Sequence, residues 1–455
     1  MSYPLQVMFR SVLVIFLVPL CLAIPLDTSG GEGKIWAVLV AGAKEYYNYA
    51  MQADICHAYQ IFHRHGIPNS NIIVMMYDDI AYNPNNPRQG VIINQPNGPN
   101  LYPGVIKDYT KEEVTPENFI NILTGNKKAM EGKGSGKVLE SGPNDHVLVY
   151  FSDHGSSGLI AFPESVLYAD QLIKALKTMH KKKMYKKLVF YLDTCESGSM
   201  FSKILPKNIN IFATTSADAT HLAYNTYCDV PGMDTCLAGE YGAAWMEDID
   251  HEDHIKKGLR TETLKKQFQK VSNRMKESRP CEYGELSLGV DHVTDFLGGA
   301  KGSGDLAEDT PTVHSTVSIS KRDVLLEMLN RQVDAAVNKE DKERLEKKRL
   351  HLINGRKEID NLFSKILTQA SRSVVDDKNV LENTHQPLNL EMMPCYRTLV
   401  DNFNQNCVNI NKNLYTLSHL HKLANLCVLE YSTSDMIQVF SKECKDQHRA
   451  LVNIN

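Results

Sequence analysis

Two stretches end in residues able to do chemistry. "DHVLVYFSDHG" (Asp145–Gly155) closes an apolar run with His154, and "KLVFYLDTC" (Lys187–Cys195) closes another with Cys195, followed by Glu-Ser-Gly-Ser. A thiol becomes a strong nucleophile once an imidazole takes its proton, and that imidazole can later return one to a departing amine. Such a pair performs acyl transfer. Gly155 allows close backbone approach, and its N–H can join that of Cys195 as an oxyanion donor. Either residue alone would more often be structural, a buried thiol or a capping histidine. Their placement at equivalent strand ends argues for chemistry.

The chain must bring the two ends together. "KIWAVLVAG" (Lys34–Gly42), "NIIVMMYDD" (Asn71–Asp79) and "NINIFATTSAD" (Asn208–Asp218) share the near-continuous apolar character of strands buried on both faces. Between the first two, Ile55, Ala58, Tyr59 and Phe62 fall at helical spacing, and Gly66 and Pro68 end the helix. Strands alternating with helices predict an α/β fold with a mostly parallel sheet. Ligand sites in such sheets gather at the carboxyl ends of the strands.

The whole chain has 455 residues, 42% hydrophobic and 23% charged, with a formal net charge of −4. That balance excludes intrinsic disorder and argues against nucleic acid as a partner. Arg10 precedes the apolar run "SVLVIFLVPLCLA" (Ser11–Ala23), which reads as a secretory signal cleaved near Ala23. The run is short of the ~20 residues of a membrane span, so the mature protein is expected to have none. Of ten cysteines, Cys21 lies in the signal, and the odd remainder predicts at least one free thiol, with Cys195 a candidate. "LGGAKGSGDLAEDTPT" (Leu297–Thr312) is a glycine-rich linker and a domain boundary. Beyond it the pattern is helical: "KEDKERLEKKRLHL" reads as an exposed helix, and Leu417, Leu420, Ala424 and Cys427 share one face. Cys395, Cys407, Cys427 and Cys444 could form two bridges in three ways. "HEDH" (His251–His254) and the His57, His63, His65 group lack zinc-site spacing, so no metal and no cofactor is expected.

"DHGSSG" and "CESGSM", with "YNYAMQADICHAYQIFHRHGIP" and "MMYDDIAYN", resemble legumain, the asparaginyl endopeptidase family of caspase-like cysteine proteases. The likeness runs from signal to C-terminus. It implies a caspase-like, mostly parallel six-stranded sheet flanked by helices, plus an all-α, death-domain-like prodomain that covers the active site at neutral pH. It divides the chain into a signal (1–23), a catalytic domain (24–297), a linker and activation segment (298–340) and a prodomain (341–455). It makes Cys195 the nucleophile, His154 the general base and acid, and Asn48 the residue that orients the histidine. Asp153 matches an aspartate that in the family can form a succinimide. The bridges implied are Cys395–Cys427 and Cys407–Cys444, and Cys228–Cys236, spanning a short loop, is expected as a third. Cys56, Cys195 and Cys281 then stay free. Implied partners are protein and peptide substrates, the chain's own prodomain and cystatin-type inhibitors, in a lysosomal, endosomal or secreted, gut-lumen setting.

The specificity pocket departs from the family pattern. Ala50 and Met51 stand where the family has Arg-His, and Asp193 replaces a glutamate. Leu222 and Ala223 replace a serine pair, and Gly239, followed by Glu240, replaces an aspartate. A pocket that reads an amide must supply donors and acceptors, and each one missing leaves a buried polar group unpaired at ~1–3 kcal/mol. The expectation is intact catalysis with a weakened asparagine preference and a taste for uncharged or hydrophobic residues. Asn330 and Asn338 mark the segment where family members cut themselves, and a pocket that no longer accepts asparagine would leave that cut to another protease. Two alternatives share these residues: a peptide ligase, and an inactive peptide-binding paralogue, which the retention of Asn48, His154 and Cys195 opposes.

Overall fold

In the computed structural model the described residues are Met1, 33–254, 258–299, 317–370 and 375–445, and the signal run lies outside them. The chain runs β1 (Ile35–Ala41), α1 (Tyr49–Arg64), β2 (Ile72–Met76), α2 (Pro116–Leu123), β3 (His146–Ser152), β4 (Gly155–Ser156), β5 (Leu159–Phe162), β6 (Ser165–Tyr168) and α3 (Ala169–Lys181). There follow β7 (Lys187–Asp193), β8 (Ile211–Thr215), β9 (Tyr224–Thr226), β10 (Ala238–Gly239), α4 (Glu240–His254), α5 (Gly258–Thr261), α6 (Leu264–Arg274), β11 (Cys281–Gly284) and α7 (Thr294–Leu297). The remainder holds β12 (Ile319–Ser320), α8 (Val324–Ala335), α9 (Lys339–Ala370), α10 (Val375–Asn383), α11 (Met393–Asn406), α12 (Leu420–Val428) and α13 (Thr433–Glu443).

The main sheet has six strands in the order β11-β8-β7-β3-β1-β2. All neighbours are parallel except β11, which runs antiparallel to β8. Apolar runs without alternation form it because helices cover both faces. On β1, Trp36, Val38 and Val40 join one core while Ala37, Leu39 and Ala41 join the other, as the two-residue pleat requires. Ile55, Ala58, Tyr59 and Phe62 of α1 pack on the second face, and Leu172, Ile173, Leu176 and Met179 of α3 on the first. The expected mostly parallel six-stranded sheet flanked by helices is present.

From β1 the chain moves outward to β2, then returns to β3 on the opposite side of β1. That reversal is a topological switch point, and the crevice it opens lies beyond the carboxyl ends of β1 and β3.

Helices α9 to α13 form the C-terminal bundle. Its core, including Ile359, Phe363, Tyr396, Leu399, Phe403, Leu423 and Phe440, is continuous with the α3-side core of the sheet. Bridges join Cys395 to Cys427 and Cys407 to Cys444, and a third joins Cys228 to Cys236. Cys56, Cys195 and Cys281 are unpaired. The glycine-rich linker lies almost wholly outside the described residues, and the described part of the activation segment includes β12 and α8.

Candidate active site

Three strand ends deliver the site. Strands β3 and β7 pair in register, Ser152 opposite Asp193, so both chains leave the sheet at the same edge. The Asp153 N–H donates to the Asp193 carbonyl at 3.2 Å, carrying the pairing one residue further. His154 and Cys195 follow directly. A Cβ on Gly155 would lie 2.6 Å from Thr194 Oγ1 and 2.7 Å from the Cys195 carbonyl oxygen. Only glycine lets the two exits come this close. After Cys195 the chain turns sharply, with Glu196 left-handed at φ 52°, a conformation held by its buried contacts.

Asn48, after β1, completes the group. Its Nδ2 donates to the Lys44 carbonyl at 2.7 Å. A carbonyl only accepts, so the Asn48 Oδ1 is the atom that meets His154 Nε2, at 2.8 Å. Nε2 therefore carries the hydrogen, and Nδ1, buried with no hydrogen-bond partner, keeps its lone pair. Burial, followed by the charges of Lys321 and Arg322, pushes this imidazole down to about 3. It is a neutral base.

Cys195 is buried and disulfide-free, its Sγ accepting the Ala223 N–H at 3.3 Å. Burial raises its pKa, so the covered site holds thiol and imidazole, both uncharged. Asp153 is buried as well, and burial holds its carboxyl well above the usual range. Its Oδ1 accepts the His154 N–H at 2.6 Å.

Residues from the second half of the chain fill the cleft. β12 pairs antiparallel with β9, Ile319 opposite Asn225 and Ser320 opposite Tyr224. The Lys321 N–H donates to the Ala223 carbonyl at 3.0 Å, and its ammonium lies 2.9 Å from Asp193 Oδ1, both side chains wholly buried. Arg322 donates to the Gly155 carbonyl at 2.8 Å and pairs with Glu196 at 2.8 Å. Ser157 also donates to Glu196, at 2.6 Å. Burial alone would raise Glu196, but His385, Arg322 and Ser157 outweigh it and hold the carboxyl at about 2. Above them, Ser156 Oγ donates to the Leu417 carbonyl at 2.7 Å. On the His154 side, Asn411 and Leu414 close the cleft over a cavity of about 20 Å³.

The expected pocket residues divide. Asp193 points at Lys321, and Gly239 leaves open the space that a Cβ would take, 2.3 Å from Asp193 Oδ2. Ala223 supplies main-chain groups to both Cys195 and Lys321. Ala50 and Met51 are buried on α1, and Leu222 is half-buried beside Ala223. Glu240 is otherwise engaged: its carboxylate accepts the N–H groups of Lys276 and Ser278 at 2.7 and 3.0 Å and clamps that loop.

One pocket acid escaped sequence reading. Asp54 is fully buried, its Oδ2 2.9 Å from where a Gly239 Cβ would sit. Burial first, and then the charge of Asp193, raises it to about 7. Its signal was available, because residues three and four after Met51 and Ala50 share their helix face. Beside Gly239, Asp54 thus joins Asp193, which the sequence already placed in the pocket. Asn330 lies within α8, while Asn338 sits exposed between α8 and α9. His57 and His65 bond to Asp250 and Asp253 of α4 at 2.9 Å each.

The chain is similar to known proteins along most of its length. Residues 35–299 match the model of the Peptidase C13 family, and residues 347–444 match that of the legumain prodomain. Legumain of Bos taurus is 40% identical over 424 residues, covering 93% of this chain and 95% of the relative. Legumain of Rattus norvegicus is 41% identical, covering 92% and 95%. The vacuolar-processing enzyme delta-isozyme of Arabidopsis thaliana is 39% identical, covering 91% of each. The structure of caspase-1 from Spodoptera frugiperda aligns at 9% identity with a TM-score of 0.33, over 56% of this chain and 87% of that one. Matched along nearly its whole length, the chain belongs to the peptidase C13 family of cysteine endopeptidases.

Proposed function

We propose that the chain is a secretory zymogen whose mature form hydrolyses peptide bonds through an acyl-enzyme on Cys195. His154 Nδ1 takes the thiol proton as sulfur attacks the carbonyl carbon, then passes it to the leaving amine. Water, deprotonated by the same nitrogen, attacks the thioester and frees the thiol. Asn48 holds the imidazole in the required tautomer. The N–H groups of Gly155 and Cys195 face the developing oxyanion. Asp153, whose carboxyl burial holds well above its usual range, sits against the amide nitrogen of His154, the contact from which a succinimide would close. Residues 24–297 are the catalytic domain, 298–340 the activation segment and 341–455 the inhibitory prodomain. The destination is lysosomal, endosomal or extracellular, and cystatin-type inhibitors are fitting partners. The rebuilt pocket weakens strict asparagine preference.

One observation carries this reading: a buried imidazole whose single partner leaves Nδ1 free as a base, at the sheet edge where an unbridged thiol emerges. Acid-matured protein should hydrolyse peptides and take a thiol-reactive probe at Cys195. Cys195→Ser should abolish both. Peptide cleavage that survives Cys195→Ser would overturn the assignment.

A further inference from the structure

The cleft is already occupied by a peptide in the posture of a substrate. β12 adds a strand to the edge of β9, the mode by which extended peptides dock on sheets, and Lys321 continues it into the catalytic crevice. The main chain of Ala223 ties the two partners together: its N–H meets Cys195 Sγ at 3.3 Å and its carbonyl accepts the Lys321 N–H at 3.0 Å. On the other side, Arg322 holds the carbonyl of Gly155, the residue after His154. The Lys321–Arg322 segment is thus held between Ala223, whose N–H meets the thiol, and Gly155, which follows the imidazole and accepts from the Arg322 guanidinium. Lys321 stands where the residue preceding a scissile bond would stand.

Its side chain reports on the pocket. The ammonium meets Asp193 Oδ1 at 2.9 Å, the Asp193 carbonyl at 2.8 Å and Ser152 Oγ at 3.5 Å. Asp54 converges on the same gap, since a methyl on Gly239 would touch Asp193 Oδ2 and Asp54 Oδ2 together. Ala50, Met51 and Gly239 add no charge there. When the segment departs, Asp193 is left as a desolvated carboxylate with a second acid beside it. A neutral side chain would leave that charge unpaired, whereas a cation restores the pair. Reach agrees: a lysine ammonium extends ~6 Å from its Cα and an asparagine amide roughly half that, so asparagine would stop short of the floor that Lys321 touches.

We infer that the specificity pocket takes a lysine or arginine side chain, with Asp193 as counter-ion and Asp54 supporting it, so that the mature enzyme cleaves after basic residues. This rests on the cysteine-endopeptidase reading above. The test uses full-length protein matured at acidic pH and four peptides differing only at the residue before the scissile bond: Lys, Arg, norleucine and Asn. Lys and Arg should exceed both others in kcat/KM by at least about 10-fold. Asp193→Asn should lower the Lys-to-norleucine ratio by about 30-fold or more. Because Asp193 is buried, a second variant avoids the catalytic domain: Lys321→Met in the intact zymogen should speed probe labelling of Cys195 at neutral pH at least about 10-fold. Preferred cleavage after Asn, or Lys peptides that compete without being cut, would overturn the inference while leaving the endopeptidase standing. Failure to cut any peptide would overturn both.

Discussion

A single side-chain amide sets the protonation of the catalytic pair. Because Asn48 is locked by the Lys44 carbonyl, it presents only an acceptor to His154. Asn48→Ala should lower kcat about 10²-fold with little change in KM, since general-base assistance is worth ~10²–10⁴. Asn48→Asp keeps the acceptor and adds a negative charge that favours the imidazolium. Activity should survive there, with the acidic limb of the pH–rate profile moved to higher pH. Gly155→Ala is a separate test: its Cβ would press on Thr194 and the Cys195 carbonyl, and misplacement of that order costs ~10²-fold in rate. Steady-state kinetics on the matured enzyme measure all three. His154 and Cys195 were legible because each ends an apolar run. Asp54 was missed because α1 was read for its apolar stripe, in which a buried acid looks like an interruption.

At the scale of elements, the sheet was readable because strands buried on both faces are written as unbroken apolar runs. The pairing of β12 with β9 was not. β12 is two residues long, lies beyond a polar linker, and gains its order from a partner remote in sequence, which no local pattern encodes. The same holds for α8, hidden inside the stretch read as linker and activation segment. These elements set which stretch of the segment is open to a protease. Asn330 is inside α8, whereas Val337 and Asn338 in the connection to α9 are exposed and Lys339, at the start of α9, has a side chain 91% exposed. A protease needs extended, accessible backbone, so mass spectrometry after brief acid incubation should place the first cut in this connection. A cut after Lys339 agrees with a basic-residue pocket, and a cut after Asn338 speaks for retained asparagine preference.

At the scale of the whole molecule, the prodomain carries buried histidines on which acid would act. Burial, followed by neighbouring cationic groups, pushes His419 down to about 3 and His421 to about 4. His421 stacks on His385, which faces Glu196, while Lys422 adds positive charge and His419 pairs with Asp360. A base with a lowered folded pKa stabilises fully above its unfolded value near 6.5, and loses that contribution as pH falls toward the folded value. Each histidine should therefore cost about 3 kcal/mol of prodomain stability by pH 4. Glu196 works in a lower window, stabilising above about 4.5 and losing that only as pH falls toward about 2. The Tm of the Cys195→Ser zymogen should drop steadily from pH 7 to pH 4, and His421→Phe, which keeps the stacking, should flatten that slope.

The tether of Lys321 has a further consequence. An occluding peptide joined to its own target is present at an effective molarity on the order of millimolar, and diluting the protein does not weaken it. Severing the chain between α8 and α9 breaks the covalent link to the bundle but leaves Lys321 covalently attached to the catalytic half. Onset of turnover should therefore lag behind that first scission, until a second break or loss of the Lys321–Asp193 ion pair lets the strand diffuse away.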